Sequence, residues 1–246
     1  MSAYHRRVAL PVELAGSTSG QLADASASVL VPVGSTEQHG PHLPLDTDTR
    51  IATEVARAAA AALAGRAASP WLVAPPIAYG ASGEHQSFPG TVSIGTEALV
   101  NVLVEYGRSA LTWADRLVFV NGHGGNVEAL RAAVSRLRFE SRDAGWSPCT
   151  TVGGDAHAGH TETSLMLYLA PAAVATDRWR PGNSAPLGEL IGAMRRGGVA
   201  AVSEVGVLGD PTTATARDGE EIFTAMVDDC VHRIRAWAPG GDGLLA

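Results

Sequence analysis

Six of the chain's eight histidines, His39, His42, His85, His123, His157 and His160, fall in four short segments rich in glycine, proline or carboxylate. The first segment is GSTEQHGPHLPLDTD, residues 34–48. Glu37 and His39 are two apart, so an extended backbone points both side chains the same way. Asp48 follows a proline-stiffened stretch and opens a helical pattern. Two carboxylates and an imidazole on one stiff loop are ligand types suited to a borderline divalent metal. The plainer alternative is a turn network in which Thr47 or Asp48 caps the helix.

The second segment, VNGHGGN at 120–126, places His123 in a glycine turn directly after an apolar run. Small neighbours there let a ligand approach, although the glycines do not match the GxGxxG dinucleotide spacing. A tight structural turn with Asn126 as helix cap is the alternative. The third segment, HAGHTETS at 157–164, is neither HExxH nor HxxEH, so zincin logic does not apply. Glu162 falls in the first turn of a helix, where the N-terminal dipole favours a carboxylate that could also ligate a cation. His157, with His160 as second choice, is the candidate to carry a proton beside such a centre. The fourth segment, GASGEHQ at 80–86, reads as a pocket loop in which Glu84 or His85 contacts substrate.

The elements that must hold these segments alternate. Val29 to Val33 and Trp71 to Ile77 read as strands, with Pro75 and Pro76 breaking the second late. Arg116 to Val120 is the clearest strand, and Thr150 to Gly153 is a candidate for another. Helical spacing marks Thr49 to Leu63, Thr96 to Trp113, Val127 to Arg142, Thr161 to Leu169 and a long C-terminal helix from Ile222 to Trp237. Alternation of this kind predicts an α/β fold, three-layer α/β/α around a mostly parallel sheet. The four segments then follow strands or precede helices, at the sheet edge where α/β proteins bind ligands. Residues 1–27 read as a mostly irregular lead-in to a single domain spanning 1–246.

Composition removes whole classes of chemistry. All 18 basic residues are arginine, which excludes a Schiff-base lysine, a pyridoxal-phosphate anchor and a Walker P-loop. A formal charge of -7 argues against a nucleic-acid partner. Cys149 and Cys230 form no CxxC pair and read as buried small hydrophobes of a reducing compartment. The apolar stretch after His5, Arg6 and Arg7 is cut by Glu13, too soon for a secretory signal, and no run is long enough to span a membrane. A cytoplasmic protein with no membrane partner is the expectation.

Taken together, GSTEQHGPHLPLDTDT, VNGHGGN, HAGHTETS and the later GVLGDP at 206–211 resemble the creatininase family of metal-dependent amidohydrolases, over roughly residues 29 to 220. The resemblance implies a creatininase-like fold and two divalent metal ions, Fe2+ and/or Zn2+ in the first instance, with Mn2+ as an alternative. It implies Glu37, Asp48 and His123 around one ion and His39, Asp48 and Glu162 around the other. It also implies a homo-oligomer. The stretches YGASGEHQ, FVNGHGGN and VAAVSEVGVLGDPTTATA resemble in particular family members that mature a peptide-derived redox cofactor. The implied reaction is hydrolysis of a modified precursor peptide before its cross-linked C-terminal Val-Tyr unit. The alternative is hydrolysis of a small cyclic amide or a formamide. A binuclear phosphoesterase is disfavoured because the companion motifs are missing, and a non-enzymatic metal-binding role is the remaining option. One departure stands out. Creatininase has a carboxylate two residues after the histidine of the second motif, where this chain has Gly125. Creatininase also places tryptophans near its substrate, for which Trp146 and Trp179 are the candidates.

Overall fold

A computed structural model describes residues 12–23, 25–65 and 69–246. The His5-Arg6-Arg7 stretch, with the rest of residues 1–11 of the lead-in, lies outside the described residues. The part of that lead-in that is described includes a short helix α1, Ser19–Ala23, before strand β1, Ser28–Val33. Then follow helix α2 (Thr47–Leu63), β2 (Trp71–Val73), α3 (Thr96–Ala110), β3 (Leu117–Asn121) and α4 (Val127–Phe139). The chain closes with β4 (Ala144–Pro148), α5 (His160–Leu169), α6 (Leu187–Gly197) and α7 (Ala216–Ala236).

The sheet is parallel throughout, with strand order β2-β1-β3-β4. Side chains alternate across it with the period of two that strands impose. Val29, Val31 and Phe119 pack against Leu99 and Leu103 of α3 and Leu130 of α4. Leu30, Val118 and Val120 pack the other way, against Val55 of α2, Leu165 of α5 and Cys230 of α7. Both faces are covered, which is the three-layer arrangement. From β1 the chain moves one way across the sheet to β2, and from β3 it moves the other way to β4. The strand order therefore reverses between β1 and β3, and a crevice opens at their carboxyl ends.

Three local readings need correction. Thr150 to Gly153 is not a strand; the fourth strand is Ala144–Pro148, paired with β3 from Leu117↔Ala144 to Asn121↔Pro148. Its sequence, AGWSP, has weak strand propensity, and tertiary pairing overrides it. The strand at Trp71 stops at Val73, and after Pro75 and Pro76 only Ile77 returns, bridging Val33. The sequence reading omits α6, although Leu187, Leu190, Ile191 and Met194 recur there at helical spacing, and α7 starts earlier than its apolar residues suggest, capped by Thr215 Oγ1 accepting from Asp218 N–H.

Candidate metal centre

The paired ends of β1 and β3, Val33 beside Asn121, launch the two segments that carry most of the site. A single buried amide ties them to the 80s loop. Asn126 Oδ1 accepts from Ala81 N–H at 2.9 Å, and Nδ2 donates to the Gly34 carbonyl at 2.9 Å and to Asn121 Oδ1 at 3.2 Å. Asn126 is thus a cross-brace between three loops, and its side chain does not cap α4. Asp48 likewise does not cap α2. It lies in that helix's first turn, 1% exposed, and its carboxylate points into the crevice.

Around Asp48 the structure gathers residues from three separate stretches. Oδ1 lies 3.0 Å from His39 Nε2, while Oδ2 lies 3.2 Å from His123 Nδ1 and accepts from Ser35 Oγ at 2.7 Å. Glu37 Oε2 stands 3.2 Å from His123 Nε2. Glu162 Oε2 stands 3.7 Å from His39 Nε2 and accepts from Ala158 N–H at 2.6 Å. Candidate ligand atoms of Glu37, Asp48 and His123 lie within 4.8 Å of one another, and so do those of His39, Asp48 and Glu162. Asp48 is common to both groups.

Electrostatics follow from burial and crowding. Burial pushes the His39 imidazole toward its neutral form, but Asp48 outweighs it and raises the pKa to about 10. Burial likewise opposes charge on His123, and Glu37 and Asp48 together hold it well above the ordinary range. Burial drives Glu162 up to about 7. The His157 ring, buried beside His39, is pushed well below the ordinary histidine range, and burial takes His85 down to about 3. Among the described residues neither oxygen of Glu37 makes a directed hydrogen bond, although the residue is fully buried. A buried carboxylate left this way is costly unless a cation meets it. Mixed imidazole and carboxylate donors in two triads sharing one carboxylate fit a pair of divalent ions.

The structure brings together Glu37, His39, Asp48, His123, Glu162, His85 and His157. His85 is 4% exposed, with Nε2 3.4 Å from Glu37 Oε1, so it sits inside the cluster and not on a wall open to substrate. Glu84 is at the rim, its side chain 30% exposed and Oε1 3.8 Å from His123 Nε2. His160 is not brought into the cluster, although it lines the cavity beside Glu162. Its Nδ1 bonds Thr213 Oγ1 at 2.9 Å and its Nε2 faces Asp218, because the first turn of α5 points Glu162 inward and His160 away. Trp146 is also misplaced by the sequence reading; it is core, with its indole N–H donating to the Asp242 carbonyl. Gly125 cannot carry a side chain here without collision. A Cβ would lie 2.3 Å from the Ala81 carbonyl oxygen, 2.5 Å from His123 Nε2 and 2.8 Å from Glu84 Oε1. Residues to which the sequence reading gave no role are Ser35, Gln38 and the buried pair His42 Nε2 and Thr163 Oγ1 at 2.8 Å. All but Thr163 lie in the first segment, where the only signal was position beside ligand-type residues.

A cavity of about 630 Å3 opens beside Glu162, lined among others by Gly122, Gly124, Cys149, Gly154 and Thr161. Its size and its glycine-rich wall suit a flexible main chain.

Comparison with known proteins agrees with this geometry. The family profile described as "Creatininase: Creatinine amidohydrolase" matches residues 14–234. The chain is 68% identical over 247 residues to the mycofactocin precursor peptide peptidase of Mycobacterium ulcerans (strain Agy99), covering 99% of each. The fold superposes on a mutant creatininase of Zn-Zn type with TM-score 0.77 and 26% identity, covering 94% of this chain and 100% of that one. It also superposes on a structure described as creatininase Mn with TM-score 0.73 and 25% identity, covering 93% and 99%. With its parallel sheet, its two triads about Asp48 and a family match over most of its length, the chain belongs to the creatininase family.

Proposed function

We propose that the chain is a metal-dependent peptidase that hydrolyses a modified mycofactocin precursor peptide before its cross-linked C-terminal Val-Tyr unit, releasing the cofactor core. The observation that carries the hydrolytic chemistry is the pair of triads sharing Asp48. The likeness to the mycobacterial peptidase over nearly the whole of both chains supports the peptide as substrate. Glu37, Asp48 and His123 would hold one ion, and His39, Asp48 and Glu162 the other. Fe2+ and/or Zn2+ suit this mixed nitrogen and oxygen set, with Mn2+ as an alternative. Bound there, the two ions would lower the pKa of water and polarise the scissile carbonyl.

The chain's own residues do the rest. His39 Nδ1 lies 3.1 Å from the Glu37 main-chain oxygen, to which it donates, so Nε2, which faces Asp48, is the atom that would meet an ion on giving up its proton. Ser35 holds Asp48 from behind, and Ala158 N–H holds Glu162. His157, neutral because it is buried beside His39, takes a proton at the centre and returns it to the departing amine. Glu84 at the rim contacts the substrate, while the cavity beside Glu162 receives the peptide. The same reading takes the protein as one domain acting as a cytoplasmic homo-oligomer without nucleic acid. Among the described residues no helix is long and apolar enough to cross a membrane.

Mass spectrometry of the modified precursor peptide after incubation with metal-loaded enzyme tests this. Release of the C-terminal Val-Tyr unit is expected. An intact peptide together with turnover of a small cyclic amide would replace the peptidase reading with the amidohydrolase one.

A further inference from the structure

Gln38 sits between His85 and His157, is 5% exposed and carries no titratable group. Two main-chain groups of fixed polarity orient its amide. Gly40 N–H donates to Oε1 at 2.9 Å, and Nε2 donates to the Gly206 carbonyl at 3.0 Å. Exchanging nitrogen and oxygen would set donor against donor and acceptor against acceptor, so only one orientation fits. The other Nε2 hydrogen is directed to His85 Nδ1 at 2.9 Å. Only a bare ring nitrogen can accept it. The proton of His85 therefore sits on Nε2, which faces Glu37 Oε1.

The main chain of the same residue settles His157. Its Nε2 lies 2.8 Å from the Gln38 carbonyl, which can only accept, so this nitrogen bears the hydrogen. The Gln38 amide nitrogen, 3.0 Å from the same atom, is then a neighbouring donor and not a partner. His157 Nδ1 is left bare, 3.7 Å from Glu37 Oε1. Rings of His85 and His39, with centroids 4.3 and 4.4 Å from that of His157, flank it and oppose a ring flip.

We propose that Gln38 is a positioning residue that locks His85 and His157 as Nε2–H tautomers, making Nδ1 the atom of His157 that accepts and returns the proton. The proposal rests on the reading of His157 as proton carrier. Each turnover is balanced: Nδ1 takes one proton from the attacking water and gives one to the leaving nitrogen, restoring the starting tautomer. Gly206 makes room for the lock. Its φ is +78°, and a Cβ there would lie 2.0 Å from Gln38 Oε1. This accounts for the first glycine of the GVLGDP segment.

The test is two-bond 1H–15N correlation on zinc-loaded, 15N-histidine-labelled full chain at neutral pH, with kcat and KM measured on peptide. Wild type should show protonated Nε2 and bare Nδ1 for both His85 and His157. Gln38→Glu places a group that only accepts against His85 Nδ1, so the His85 proton should move to that nitrogen. A fall in kcat of about 10- to 100-fold is expected, with KM changed by less than about threefold. Gln38→Met keeps the bulk without the hydrogen bonds and should abolish the tautomer preference of His85. Zinc content and circular dichroism show that each variant is folded and loaded. Hydrogen on Nδ1 of wild-type His157 overturns the proposal, as do unchanged His85 signals and kcat in both variants. If His157→Asn retains full activity while the wild-type tautomers are as stated, it is the proton-carrier reading that falls.

Discussion

Glu162 Oε2 lies 3.7 Å from His39 Nε2, bringing the first turn of α5 against the loop that follows β1. This contact supplies a carboxylate to the second triad in a chain whose second motif has glycine at 125. Glu162→Gln should therefore lower the metal content from two ions towards one per chain. Activity should fall about 100- to 1000-fold. Elemental analysis after gel filtration measures the first and peptide turnover the second. Two tightly held ions in the variant would remove Glu162 from the ligand set.

Asp48→Asn should be more severe, because Asp48 is common to both triads. Both ions should be lost together and turnover should fall at least about 1000-fold. Isothermal titration with zinc reads this directly. Loss of one ion alone would show that Asp48 does not bridge.

His157→Asn and His160→Asn separate the two histidines of the third segment. The former should reduce kcat about 100- to 10,000-fold, the range for loss of a general acid or base. The latter should change it by less than about threefold, because His160 is engaged by Thr213 and faces Asp218. Equal losses would mean that the outward placement of His160 does not hold in the working enzyme.

His42 gives a pH dependence of stability. It is 2% exposed, and burial with the nearby His39 lowers its pKa to about 4. In the unfolded chain an ordinary histidine takes up its proton near pH 6.5, so between about 6.5 and 4 the unfolded state binds more protons. The contribution of His42 is thus fully present above that window and is lost as pH falls through it. Urea melts at pH 7 and pH 5 should show a smaller drop for His42→Gln than for the native chain. An equal drop would assign the acid sensitivity to other groups.

Candidate residues such as His39, Asp48 and His123 were legible because imidazoles and carboxylates are conspicuous in glycine-rich surroundings, while their division into two triads came only from the family resemblance. The helices α2, α4 and α7 were legible because their buried residues recur with helical spacing. What could not be read was any property that depends on a partner distant in sequence. AGWSP becomes β4 only because β3 pairs with it. Gln38 looks like a spacer until Gly206 and His85 stand beside it. The outward turn of His160 depends on Asp155, whose side chain accepts from the His160 and Thr161 N–H groups and so sets where α5 begins.

Helix α7 packs against both α2 and α5, placing Met226 and Cys230 behind the helices that carry Asp48 and Glu162. It is a common back wall, and Met226 also lines the cavity beside Glu162. A shift of that wall would alter the spacing between the two carboxylates without altering either one. Damage to the C-terminal helix should therefore show itself first as weakened cation retention, before any loss of secondary structure, so that the apolar rear of the molecule acts as a calibrating part of its catalytic front.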